Sequence, residues 1–142
     1  MDEVWLITGI PGVGKTTVAR LLARAMRNGA HIEGEQLQEM IVAGAVWPGD
    51  EPADEAIREI RLNVHNQCLL AGSFAHAGFV PVMDWVVPTR TSLKQYQEEL
   101  ADLAVYFVVL ATGLDVALSR DSDQERTQRR WAAGRIKWPT RR

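Results

Sequence analysis

The sequence is short of the features on which several protein classes depend. Its one cysteine, Cys68, can form neither an internal disulfide nor a thiolate metal site, which excludes a secreted disulfide scaffold and a zinc finger. Cys68 is expected to act as a small apolar side chain. His31, His65 and His76 have no metal-ligand spacing and no partner nucleophile, so each is expected to be structural or solvent-exposed. No apolar run approaches the roughly 20 residues of a membrane span, and Met1-Asp2-Glu3 is acidic where a signal peptide is basic. No membrane contact and a cytoplasmic location are expected. Without internal repeats, low-complexity tracts or a composition break, residues 1–142 are expected to form a single domain.

What is present is an ordinary globular balance, with 46% hydrophobic and 24% charged residues. The net charge of -2 is unevenly divided: residues 1–118 carry 8 basic and 15 acidic side chains, residues 119–142 carry 8 basic and 3 acidic. A basic end of this kind covers phosphates, touches nucleic acid or forms a solvated tail.

Hydrophobic periodicity predicts strands at residues 4–8, 30–32, 79–87 and 103–111. Helices are predicted at 15–26, 35–42, 54–77, 89–100, 114–120 and 122–133, with Asn28-Gly29 as the stop of the first. On the longest, Ile57, Ile60, Val64, Cys68 and Ala71 step by three and four along the expected buried face. Strands alternating with helices indicate a parallel sheet between two helical layers, an α/β/α arrangement whose ligands bind at the C-terminal strand ends.

One motif sits at such an end. Gly9-Ile10-Pro11-Gly12-Val13-Gly14-Lys15-Thr16 matches G-x-x-x-x-G-K-[ST] in full, between a predicted strand and a predicted helix. Backbone N–H groups of such a loop point at phosphate oxygens, and glycines let the chain approach without a Cβ clash. Gly9, Pro11, Gly12, Val13, Gly14, Lys15, Thr16 and Thr17 are therefore assigned to nucleotide binding. Lys15 places a cation on the β- and γ-phosphates, and the Thr16 hydroxyl is a ligand for Mg²⁺.

The other strand ends bear on the reaction. Asp84 closes the third strand, where this architecture puts an acid for Mg²⁺, and Trp85 follows it. A hydrolytic ATPase of the common kind carries a glutamate there, and a GTPase carries N-K-x-D; the chain has neither, which disfavours dedicated hydrolysis. Glu33-Gly34-Glu35 closes the second strand and opens a helix. A carboxylate there orients an acceptor hydroxyl and takes its proton; Glu35 is preferred, with Glu33 the weaker candidate. Residues 119–134 form a candidate lid: Arg126 and Arg130 share a helix face and Arg120 precedes them, placed to stabilise the transferring phosphoryl group and the nucleotide.

On the run Leu6-Ile7-Thr8 through Lys15-Thr16-Thr17, on Ile32-Glu33-Gly34-Glu35, on Val82-Met83-Asp84 and on the arginine-rich lid, the chain resembles small P-loop kinases. The group is that of chloramphenicol phosphotransferase-like proteins, gluconate kinase and shikimate kinase. The resemblance implies the P-loop NTPase fold, ATP and Mg²⁺ as cofactors, and an Asp base at the position of Glu35. It also implies a second acid where Trp85 stands in drug-kinase-like members, and strand order 2-3-1-4-5. Only four strands are found, so the chain is expected to be shortened at its C-terminus or to fold its tail differently.

The long helix, with Arg58, Arg61, Asn63 and Asn66, and Trp47 with Trp85, are candidates for the acceptor wall; for Arg58 and Arg61 a solvent-facing position beside Glu55 and Glu59 is the favoured account. The favoured function is transfer of the γ-phosphate of ATP to a hydroxyl of a small molecule, by a monomer or homodimer. A nucleic-acid 5′-end kinase, supported only by the basic tail, is disfavoured, and a nucleotide-binding domain without transferase activity is the other alternative.

Overall fold

The structure, a computed structural model, describes residues 2–87 and 89–111. In chain order the elements are β1 (Glu3–Thr8), α1 (Lys15–Ala25), β2 (Gly29–Glu33), α2 (Gly34–Glu39), α3 (Ala53–His76), β3 (Val80–Asp84), α4 (Arg90–Glu99) and β4 (Ala104–Val109). All strand pairs are parallel, in the order β2-β3-β1-β4. The α/β fold and this order agree with the expectation from sequence; the expected lid and the question of a fifth strand fall on residues 112–142, outside the described ones.

Alternation along the strands builds the two faces. Ile7 and Val82 turn toward α1, where Ala19 and Ala23 are small enough to bring the helix onto the sheet. Val4, Leu6, Ile32 and Met83 turn the other way, into a larger core with Val64, Cys68 and Ala71 of α3 and Tyr96 of α4. Burial pushes the Cys68 thiol above its usual range, which suits an inert apolar role. Trp5 and Tyr106, opposite each other in β1 and β4, stack with ring centroids 4.7 Å apart.

Several details differ from the periodicity. Helix α1 ends at Ala25, and Gly29 opens β2 rather than capping the helix. Strand β3 ends at Asp84: the Trp85 N–H makes one last bond to β1, to Ile7 O at 3.2 Å, and Val87 N–H turns to the Thr8 hydroxyl, also at 3.2 Å. The buried face of α3 is Ala56, Glu59, Asn63, Val64, Gln67, Cys68, Ala71 and Ala75, which leaves Ile57 half exposed. Polar residues take part of that stripe because they bond one another. Among the described residues, no helix is long and apolar enough to cross a membrane.

Candidate active site at the strand ends

Helix α1 leaves β1 over one face of the sheet, and α4 leaves β3 over the other, so the chain diverges between these adjacent strands. That divergence opens a crevice at their C-terminal ends, the usual ligand position in such sheets. Residues 9–14 turn from β1 into α1 across this crevice. Gly12 and Gly14 have φ of 82° and 98°, a region that side chains disfavour, so the motif's glycines are needed for the turn itself. The loop is tied by Val13 N–H to Ile10 O at 3.2 Å, and Gly14 O accepts from Val18 N–H at 3.0 Å as α1 begins. Gly9, Pro11 and Val13 are buried, while Thr17 is exposed on α1. Lys15, in the first turn, folds back so that Nζ donates to Ile10 O at 3.2 Å.

Thr16 and Asp84, assigned separately from sequence, meet here: the Thr16 hydroxyl donates to Asp84 Oδ1 at 3.0 Å. Asp84 is 3% exposed, not the solvated strand-end carboxylate that would carry no role. Its other oxygen bonds His31 Nε2. Of the two expectations for His31, structural or solvent-exposed, its partial burial and this bond fit the first. It lies on β2 with Glu33, on the same side of the strand, and Glu33 is in register with Asp84. The signal was the alternation His31, Glu33 in the second strand, but it acquires meaning only once β2 is known to lie beside β3.

The hard oxygens of Thr16 and Asp84 converge beside the phosphate loop, and this donor chemistry fits Mg²⁺. Glu35 occupies the first turn of α2, partly buried, one residue beyond Gly34. The helix N-cap is Glu33, which makes no side-chain capping bond. A Cβ on Gly34 would stand 2.5 Å from Trp85 Cε3 and 2.8 Å from Gln67 Nε2. Trp85, where the resemblance suggests an acid, is therefore a wedge against the turn that carries Glu35. It packs with Trp47 and Val86 in a small cluster, so both tryptophans anchor loops rather than offer open rings to a ligand. Gly34→Ala is expected to destabilise the fold by about 1–3 kcal/mol through this overpacking, read as a lower denaturant midpoint with an unchanged slope.

The acceptor-wall candidates on α3 separate. Asn63 is buried and donates to Gly34 O at 2.9 Å, so it supports the site from behind. Arg58 is spent in an exposed pair with Glu55 at 2.7 Å, and Arg61 is exposed. Arg120, Arg126 and Arg130 lie outside the described residues.

Solved structures share this fold. The chain is similar to the Mycobacterium tuberculosis APS kinase CysC in complex with AMPPNP and APS, at 23% identity and a TM-score of 0.68, over 86% of this chain and 69% of that one. It is also similar to a sugar kinase from Janibacter sp. HTCC2649, at 15% identity and a TM-score of 0.63, over 96% and 79%. The Pnkp1/Rnl/Hen1 RNA repair complex matches at 17% identity and a TM-score of 0.61, over 85% of this chain but 37% of that one. Among curated proteins no match is found. These likenesses show a fold shared with P-loop kinases. A family model described as an AAA domain matches residues 6–135, from within β1 through the phosphate loop and all later elements, and the chain belongs to that family.

Proposed function

We propose that this chain is an ATP-dependent phosphotransferase that moves the γ-phosphate of ATP to a hydroxyl of a small molecule. The observation that carries the reading is the 3.0 Å bond between Thr16 and Asp84 beside an intact phosphate loop, with Glu35 on the turn that follows the adjacent strand β2. Loop N–H groups and the start of α1 hold the phosphates, and Lys15 exchanges its bond to Ile10 O for phosphate oxygens. Thr16 and Asp84 would hold Mg²⁺, which when bound neutralises phosphate charge.

Glu35 orients the acceptor hydroxyl in line with the bond to be broken. The hydroxyl oxygen bonds to the γ-phosphorus, the bond from that phosphorus to the bridging oxygen breaks, ADP leaves, and the hydroxyl proton passes to the Glu35 carboxylate. Arg126 and Arg130 are assigned to the charge of the transferring group and Arg120 to the nucleotide. A single thiol at Cys68 suits the reducing cytoplasm.

The test is ADP release from Mg–ATP across antibiotics, sugars, polyol acids, nucleosides and a 5′-hydroxyl oligonucleotide. Release that depends on one small molecule is expected and names the acceptor class. Release dependent on the oligonucleotide alone would instead identify a nucleic-acid 5′-end kinase. Saturable ATP binding without turnover on any acceptor would leave a nucleotide-binding domain without transferase activity.

A further inference from the structure

Five polar side chains from α2, α3 and α4 form a continuous buried chain behind Gly34, none of them more than 3% exposed. The Tyr96 hydroxyl donates to Gln67 Oε1 at 2.7 Å, and Gln67 Nε2 donates to Asn63 Oδ1 at 2.6 Å. Asn63 Nδ2 donates to Gly34 O at 2.9 Å and, more weakly, to Gln38 Oε1 at 3.5 Å. Gln38 Nε2 donates to Glu59 Oε1 at 3.0 Å, and Val46 N–H donates to both Glu59 oxygens at 2.8 and 3.0 Å.

Every donor in the series points the same way, and the acceptors explain why. Backbone groups have fixed roles: Gly34 O only accepts, so it requires the Asn63 amide nitrogen, and Val46 N–H only donates, so both Glu59 oxygens accept from it while Oε1 also accepts from the Gln38 amide nitrogen. Asn63 Oδ1 must then accept from Gln67, which leaves Gln67 Oε1 for the Tyr96 hydroxyl. Burial pushes the Tyr96 phenol well above its usual range, which keeps it a donor. Bonds aligned in this way polarise one another in a buried interior of low dielectric.

Stability alone does not account for the arrangement. Apolar residues of the same shape would serve a core as well, whereas a satisfied polar chain selects one geometry. The geometry selected is that of Gly34 O, one residue before Glu35, with the Trp85 ring and the Gln67 amide both close against the same glycine. We propose that Asn63, held in place by Gln67 and Tyr96, is a positioning residue that clamps the first turn of α2 and so keeps the Glu35 carboxylate in line with the acceptor hydroxyl. This rests on the reading of Glu35 as the base.

The experiment measures steady-state transfer from Mg–ATP, to the hydroxyl compound that responds or to water where none does. Asn63→Ala and Tyr96→Phe are each made in the native and in the Glu35→Gln background. Asn63→Ala is expected to lower kcat about 10- to 100-fold and Tyr96→Phe by less, because a small misplacement of a reacting group costs on that order. KM for ATP stays unchanged, and neither substitution adds a loss once Glu35 is replaced, as coupled residues require. Losses that add to that of Glu35→Gln, a raised KM for ATP, or unchanged kcat in both folded variants overturn the proposal. Where Asn63→Ala fails to fold by circular dichroism, Tyr96→Phe, which removes one oxygen, decides alone. No turnover by the unaltered chain, or none lost in Glu35→Gln, overturns the underlying reading and this proposal with it. That result is distinct because it appears before Asn63 or Tyr96 is touched.

Discussion

Lys15→Ala is expected to lower phosphoryl transfer about 10³-fold, the range found when a preorganised charge is removed from a developing phosphate or oxyanion. The local charge explains the size. Glu33 and Asp84 end adjacent strands and Glu35 follows Glu33 by two residues, so a polyanion enters a region already supplied with acidic side chains. The phosphate loop answers with backbone dipoles and with Lys15, whose Nζ already lies across the loop at 3.2 Å from Ile10 O. Alanine favours a helix, and Lys15 in the first turn of α1 is only partly buried, so the fold is expected to survive while the charge is lost. Two measurements separate the effects. Transfer from Mg–ATP reads the transition state, and the ATP-dependent rise in unfolding temperature reads binding of the ground state. Lys15→Arg keeps the charge but replaces a compact ammonium with a longer planar group, and is expected to recover only part of the rate. Unaltered transfer in Lys15→Ala would show that other groups meet the phosphate charge.

The phosphate loop was legible because its chemistry lies in eight consecutive residues. Backbone turn, cation and hydroxyl arrive together, and the flanking periodicities identify a strand before them and a helix after. The positions of Asp84, at the end of β3, and of Glu35, two residues after β2, were legible for a related reason: in a parallel sheet the C-terminal strand ends border the ligand crevice whatever the strand order. His31 was not, since its bond to Asp84 spans 53 positions and depends on β2 lying beside β3. The chain from Tyr96 to Glu59 was hidden by its own composition. Asn63 and Gln67 are polar, and a periodicity reading sends polar residues to solvent or to a ligand. Only the three-dimensional arrangement shows each one satisfied by another. Trp85 is the opposite case: its presence after Asp84 was plain, but its use as a wedge against Gly34 required the packing.

Glu35→Gln is expected to reduce transfer about 10²- to 10⁴-fold, the contribution of a positioned general base. Glutamine keeps the length and the hydrogen-bonding oxygen, so the acceptor still has a partner, but the amide takes no proton. The loss should therefore fall on kcat, with KM for ATP unchanged, because Glu35 meets the acceptor and the phosphate loop meets the nucleotide. Glu35→Asp tests reach. The turn is held by Trp85 and by the Asn63 bond to Gly34 O, so the backbone is poorly placed to follow a carboxylate withdrawn by one methylene. A partial loss is expected, with recovery confined to acceptors that sit deeper. Glu33→Gln is the decisive control, because Glu33 is buried and in register with Asp84. Were the large loss to appear there, and not in Glu35→Gln, the base would be the residue that closes β2.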